Sequence, residues 1–251
     1  MSKPRNPPEN PIILIPARMA SQRLPGKPLA EIAGEAMIVQ VWRRAMEAEI
    51  GAVAVACAEP EIAAAIEAAG GTAVITRADH PSGSDRIFEA LNKLDPDGKQ
   101  DAVINLQGDL PTIAPDDIAA VLAPLADPGV DIATLVAEIT DPTERDDPNV
   151  VKAAVAFDGD SRTGPALYFS RATMPAGEGP LWHHIGIYAY RRDALAQFVA
   201  WPPGVLEKRE RLEQLRALEN GLRIAAARVD SVPLGVDTPA DLNRAREILA
   251  P

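Results

Sequence analysis

Short apolar runs alternate with segments of helical spacing along the first half of this chain, and that alternation narrows the fold more than any other feature. Pro11 to Ala17 (PIILIPA), Ala52 to Ala58, Thr72 to Arg77 and Asp101 to Leu106 read as buried strands. Between them, Met37, Ile38, Val41, Trp42, Ala45 and Met46 repeat at helical spacing ahead of Gly51. Glu59 to Ala69 is a second helix, with a proline in its first turn and Gly70-Gly71 as its stop, and Ser84 to Leu94 is a third. Pro115 to Ala126 adds another helix and Asp131 to Ile139 another strand. Strands and helices in strict turn imply an α/β fold, with a mostly parallel sheet covered by helices on both faces. Binding groups in such sheets gather beyond the carboxyl ends of the strands, where Arg18, Arg77 and Asp109 fall.

From Asp141 the rhythm changes. Val150 to Phe157, the turn signal Asp158-Gly159 and Pro165 to Ser170 look antiparallel, and His183 to Tyr190 is a further strand. Helices follow at Asp193 to Ala200 and Val205 to Gly221, separated by Pro202-Pro203-Gly204, then a strand at Arg223 to Asp230. The last helix, Thr238 to Leu249, has Thr238 as N-cap, Pro239 at its first position and Asp241 closing a capping box. Residues 1–10 read as a flexible tail and residues 11–251 as a single domain in three parts, 11–140, 141–192 and 193–251.

Bulk properties remove several classes of function. The net charge of -11 argues against a nucleic-acid binder, whose affinity comes from a surplus of Lys and Arg on phosphates. An anion pocket here has to be a basic island in an acidic surface. The single cysteine, Cys57, has no partner for a disulfide or a thiolate metal cage and reads as a small buried hydrophobe. The polar, proline-rich start lacks the apolar core of a signal peptide, and no apolar stretch reaches the length of a membrane span. The expected location is the cytoplasm, with no membrane insertion.

The loop after the first strand carries the chemistry. Pro16-Ala17-Arg18-Met19-Ala20-Ser21-Gln22-Arg23-Leu24-Pro25-Gly26-Lys27-Pro28 holds three cations and a glycine that lets backbone N–H groups approach an anion, a combination suited to a triphosphate. Neither G-x-x-x-x-G-K-S/T nor G-x-G-x-x-G is present, so a P-loop ATPase and an NAD-dependent enzyme are both disfavoured. Asp109 ends the fourth strand, and Asp237 precedes the last helix. Thr238 already provides the cap, which leaves Asp237 available. Two carboxylates at element ends suit Mg²⁺, a hard ion commonly held by one or two carboxylates and substrate phosphates.

The chain resembles the 3-deoxy-manno-octulosonate (KDO) cytidylyltransferases from about Pro11 to Ile248. The resemblance is carried by Ile15 to Arg18 with Arg23 to Leu29, by Thr76 to His80 with Ser82-Gly83, and by Asn105 to Pro111. Ala166 to Arg171, His184 to Tyr188, Leu212 to Arg216 and Gly235 to Pro239 continue it. The opening loop is shared with many sugar nucleotidyltransferases; TRADH-x-SG, LYFSRA and H-x-GIY together point to the KDO branch.

The resemblance implies a Rossmann-like nucleotidyltransferase fold in which 11–140 binds CTP. Residues 141–192 would form a smaller antiparallel part for sugar binding and dimerisation, and 193–251 would return to the main sheet. It also implies CMP transfer from CTP to KDO in lipopolysaccharide biosynthesis, Mg²⁺ as cofactor and a homodimer. Arg18, Arg23 and Lys27 would then hold the CTP phosphates, Ala17 would belong to the same nucleotide-binding set, and Arg77, Ala78, Asp79, Ser82 and Gly83 would line the cytidine pocket. Asp109 and Asp237 would hold the metal, and Arg18, Lys27, Asp109 and Asp237 would form the catalytic set. Gln107, Arg171, His184, Tyr188, Glu213 and Gln214 would form the sugar pocket. Taken by themselves, His184 reads as a satisfied core histidine and Glu213 and Gln214 as the solvated face of a helix, whereas Arg171 in an apolar segment is a natural carboxylate partner. Leu110 stands where the family commonly has an acidic residue. Related acidic sugars (an 8-amino analogue or a nonulosonate) and a non-catalytic nucleotide-binding regulator are the alternatives.

Overall fold

Strand β1 (Pro11–Ala17) is buried along most of its length because it has a parallel neighbour on each side in the computed structural model, which describes residues 5–20 and 23–250. It belongs to the first of two compact units, made of Asn10–Ala119 and Pro233–Pro251. A two-residue hairpin follows, β2 (Glu31–Ile32) and β3 (Glu35–Ala36), turning at Ala33 and Gly34 with positive φ at both. Then come α1 (Met37–Glu47), β4 (Ala52–Cys57), α2 (Pro60–Ala68), β5 (Thr72–Ile75), α3 (Gly83–Leu94), β6 (Ala102–Asn105) and α4 (Pro115–Ala120).

The strand order in this unit is β5-β4-β1-β6, parallel throughout. Near-continuous burial of β1, β4 and β6 means that neither face of this sheet is open to water. Helix α1 buries Met37, Ile38, Val41, Trp42 and Ala45 as its spacing predicts, while Met46 is exposed.

The second unit comprises Met1–Glu9 and Ala120–Val232. Its elements are β7 (Ile132–Glu138), α5 (Pro142–Asp146), β8 (Lys152–Val155), β9 (Thr163–Ser170), β10 (Trp182–Arg191), α6 (Arg192–Ala200), α7 (Val205–Glu210), α8 (Leu215–Glu219) and β11 (Ile224–Val229). The order is β10-β7-β11-β9-β8, antiparallel except for β11 on β7. The first residues of β10 also pair with β8, so the strands form a circuit at that end and leave fewer open edges. Residues 1–4 of the expected tail lie outside the described residues. Further along, Arg5 pairs with Asp131 at 2.6 Å, and the Asn6 carbonyl accepts from Arg191.

Two predicted helices are shorter than expected. Pro115 to Ala126 divides into α4 and a 3-10 turn at Ala123–Ala126, since Pro124 lacks the N–H that would continue the helix. Val205 to Gly221 divides at Arg211, whose φ of 58° is left-handed. The break is held by tertiary contacts. Glu219 accepts from the N–H groups of Val205, Leu206 and Glu207, and Arg216 pairs with the Glu207 carboxylate at 2.6 Å. The chain returns to the first unit with α9 (Pro239–Ile248), capped by Thr238 and Asp241 as the sequence predicts.

Candidate active site

Two glycines place the carboxylate pair and its lysine. Gly26 adopts φ +70° ahead of the 3-10 turn Lys27–Leu29, a conformation that side chains resist. Gly108 passes so close to β1 that a Cβ there would lie 2.9 Å from the Pro16 carbonyl oxygen. Asp109 therefore leaves the end of β6 directly beside the β1 loop. Asp237 reaches the same point by backbone stitching: Val236 N donates to the Asp109 carbonyl at 2.9 Å and Leu234 N to Thr112 Oγ1 at 2.9 Å. Leu110 is buried next to Gly235, so at this position an apolar side chain packs the stitched segment.

The result is a four-charge cluster. Lys27 Nζ donates to Asp109 Oδ2 at 2.8 Å and to Asp237 Oδ1 at 2.9 Å, and Arg23 Nη2 donates to Asp237 Oδ2 at 2.8 Å. Burial disfavours the Lys27 ammonium, but the two carboxylates outweigh it and raise its pKa. Among the described residues no group of three or more His, Cys, Asp or Glu could hold a metal by itself. Two carboxylates already closing on one cation fit the alternative mode, in which Mg²⁺ takes its remaining ligands from water and substrate phosphate.

The cluster opens on a cavity of about 820 Å³. Ala17, Arg18, Arg23, Lys27, Ser82, Gly83, Gln107, Asp109 and Asp237 line it, together with His80 and Arg86, to which the sequence reading gave no role. Arg77, Ala78 and Asp79 do not line it. The Arg77 side chain is mostly exposed, 3.6 Å from Asp79, and its backbone N–H donates to Glu89. Glu89 in turn holds the His80 ring at Nε2. Burial opposes ionisation of Glu89, but hydrogen bonds from Lys93, His80 and the Arg77 N–H win and bring its pKa to about 2. The signal for Arg86 was its position: a cation in the first turn of a helix, where the dipole disfavours it.

Five of the six expected sugar ligands lie in the second unit. Arg171 is anchored through Nε to the Glu210 carbonyl at 3.2 Å and through Nη1 to the Pro148 carbonyl at 2.9 Å. The ring centroids of His184 and Tyr188 are 5.5 Å apart. They share a side of β10 because Gly186 and Ile187 bulge out of register together and preserve the alternation. Thr134 Oγ1 donates to the Ile187 carbonyl at 2.8 Å, which leaves its oxygen to accept from His184 Nε2–H at 3.1 Å.

Burial, with the nearby His183 charge adding to it, lowers the His184 pKa to about 3, so the ring is neutral. Burial likewise raises Tyr188, with Tyr190 and Glu213 contributing. Glu213 and Gln214 occupy the break between α7 and α8, not a solvated helix face, and Gln214 Nε2 is buried without a hydrogen-bond partner among the described residues. Gln107, the sixth, lines the first unit's cavity and donates to Asn105 Oδ1 at 3.2 Å.

Residues 12–224 match the family model described as Cytidylyltransferase. A 3-deoxy-manno-octulosonate cytidylyltransferase of Paramagnetospirillum magneticum is 65% identical over 239 residues, covering 95% of this chain and 97% of the relative. One of Xanthobacter autotrophicus is 67% identical over 242 residues, covering 96% and 94%. A solved structure of CMP:2-keto-3-deoxy-manno-octonic acid synthetase complexed with CTP superposes with a TM-score of 0.88 at 40% identity, covering 96% of this chain and 99% of that one. A basic loop, a paired carboxylate and this likeness over nearly the full length lead to one conclusion: the chain belongs to the cytidylyltransferase family.

Proposed function

We propose that this protein transfers the CMP moiety of CTP to KDO, releasing pyrophosphate, as the names of its relatives describe for those proteins. The observation that carries the reading is the convergence of Asp109 and Asp237, 128 positions apart by number, on the Lys27 ammonium in a cavity that also holds Arg18 and Arg23. In this reading residues 11–251 act as one nucleotidyltransferase domain of Rossmann-like type, with the antiparallel second part serving the sugar and a homodimer contact.

The anomeric hydroxyl of the sugar forms a new bond to the α-phosphorus while the bond to the departing pyrophosphate breaks in line with it. Such displacements depend on positioning and charge, and no protein nucleophile is needed. Arg18 and Lys27 offset the charge that grows on the leaving group. Asp109 and Asp237 would hold Mg²⁺, which when bound neutralises phosphate charge and polarises the α-phosphate. Arg171 pairs with the sugar carboxylate through the planar fork of its guanidinium. His184, neutral and holding its Nε2 proton on Thr134, keeps Nδ1 as an acceptor for a sugar hydroxyl. Glu213 and Gln214 contribute further polar contacts from the helix break. The cytoplasm, where CTP is made, is the proposed location; among the described residues no helix is long and apolar enough to cross a membrane.

The test is incubation with CTP, KDO and Mg²⁺, reading pyrophosphate release. Turnover is expected with KDO, and its absence would dismiss the reading. EDTA is expected to stop the reaction, and Asp109→Asn or Asp237→Asn to slow it by about 100-fold or more with the fold intact. Near wild-type rates in either variant remove the metal assignment.

A further inference from the structure

Lys152, at the start of β8, is fully buried, with 0% of its surface exposed. Its ammonium has three N–H donors, and three backbone carbonyls receive them: Asp147 at 2.7 Å, Val150 at 2.8 Å and Arg171 at 3.2 Å. All three acceptors are neutral. Burial lowers the Lys152 pKa, and Asp147, Asp146 and Glu144 oppose the fall through space. A methionine would fill a similar volume with no charge to desolvate, so packing does not account for a cation here.

The carbonyls account for it. Asp147 to Val150 is a turn ahead of β8, in which Val150 N donates to the Asp147 carbonyl at 3.1 Å. Arg171 lies 19 positions beyond Lys152, just past the end of β9. One ammonium therefore pins the turn to the residue that follows β9.

The pinned segment carries supports for two of the expected sugar ligands. The Pro148 carbonyl accepts from Arg171 Nη1 at 2.9 Å, and the Val151 carbonyl accepts from His184 N at 2.8 Å. Strand register repeats the pattern: Lys152 stands opposite Ser170 on β9 and His183 on β10, the residues just before Arg171 and His184. The second anchor of the Arg171 guanidinium, the Glu210 carbonyl, is neutral like the first. Carbonyls thus aim the guanidinium without forming an ion pair with it, and its charge stays available to an incoming carboxylate.

We propose that Lys152 is a positioning residue for sugar recognition: its buried ammonium gathers the Asp147, Val150 and Arg171 carbonyls and so fixes the direction in which Arg171 presents its guanidinium to the sugar carboxylate. This deepens the KDO reading above and rests on it, with Arg171 as the carboxylate partner. Lys152 touches no substrate and acts through Arg171.

The test is pyrophosphate release with KDO and CTP varied in turn, on the wild type, Lys152→Met, Arg171→Met and the double variant. Lys152→Met is expected to lower kcat/KM for KDO by about tenfold through KM, with kcat and KM for CTP within about twofold of the wild type. In the Arg171→Met background the same change is expected to leave kcat/KM for KDO unaltered, because the side chain it acts through is already gone. Lys152→Gln, neutral but with two N–H donors, is expected to recover part of the loss.

Equal rises in KM for both substrates, or a fall in kcat alone, would mean a general structural role and overturn the proposal. Additive effects in the double variant, or a wild-type KM for KDO in Lys152→Met, overturn it as well. Should Lys152→Met not fold, Lys152→Gln is read alone, and a KM for KDO equal to that of the wild type overturns the assignment. Arg171→Met with an unchanged KM for KDO removes this inference but leaves turnover, and with it the KDO reading, in place. Failure of that reading is distinct, because the wild type would then release no pyrophosphate from CTP and KDO, and both fall together.

Discussion

Inside the second unit, His184 stays uncharged at neutral pH because its ring is buried against Phe169 and Tyr188 and its Nε2 is committed to Thr134. Its pKa of about 3 lies below the ordinary value of 6.5. Between those two values the unfolded chain binds a proton that the folded chain refuses, so this residue makes stability rise with pH. Its contribution is intact above about pH 6.5 and is lost as the pH falls toward 3. The slope is on the order of 1 kcal/mol per pH unit. Urea unfolding of wild type and His184→Gln at about pH 7, 5.5 and 4 is expected to give a flatter profile for the variant. Parallel profiles would mean that His184 is not held neutral by burial. Nothing in H-x-GIY announces this state. The histidine and tyrosine are legible as a pair two turns of the pleat apart, but the register shift at Gly186–Ile187 and the Thr134 hydroxyl that fix the ring depend on pairing with a different strand, β7.

The helices divide by where their ends are specified. α9 is set by local chemistry: Thr238 Oγ1 accepts from Asp241 N at 3.2 Å, and the Asp241 carboxylate accepts from Thr238 N at 2.9 Å. Thr238→Ala is expected to destabilise the protein by about 1 kcal/mol. It should also lower turnover, because Asp237 N donates to the same Asp241 carboxylate and loses its register with the cap. Denaturant unfolding and pyrophosphate release measure the two effects; loss of stability with full turnover would show that Asp237 is positioned by Val236 and Asp109 alone.

The α7–α8 break is of the opposite kind. Val205 to Gly221 reads as one helix because no glycine or proline interrupts it before its end. The interruption comes from Glu219 folding back on the first N–H groups of α7 and from the Glu207–Arg216 pair, contacts between residues 9 to 14 positions apart. That break turns Gln214 inward, where its amide is buried.

For the molecule as a whole, a net charge of -11 surrounds a cavity whose own charged residues favour anions. Long-range steering toward this protein is therefore weak, and binding of a triphosphate depends on close, poorly screened contacts. The homodimer proposal belongs at this scale: sedimentation at assay concentrations is expected to show a species of twice the chain mass, and a monomer with full turnover would remove it.

The alternation of the parallel strands β1, β4, β5 and β6 with α1, α2 and α3, the basic loop, the two aspartates and the last capped helix were determined by the sequence alone, whereas the β2–β3 hairpin was not. Each depends on residues close together in the chain: apolar spacing, a cap, a glycine beside a charge. The convergence of Asp109 and Asp237 on Lys27, the exclusion of Arg77 from the cavity wall and the burial of Arg86 within it were decided only by tertiary structure. They depend on which loops the sheet brings side by side and on which charges the packing removes from water, and neither quantity is local to any segment.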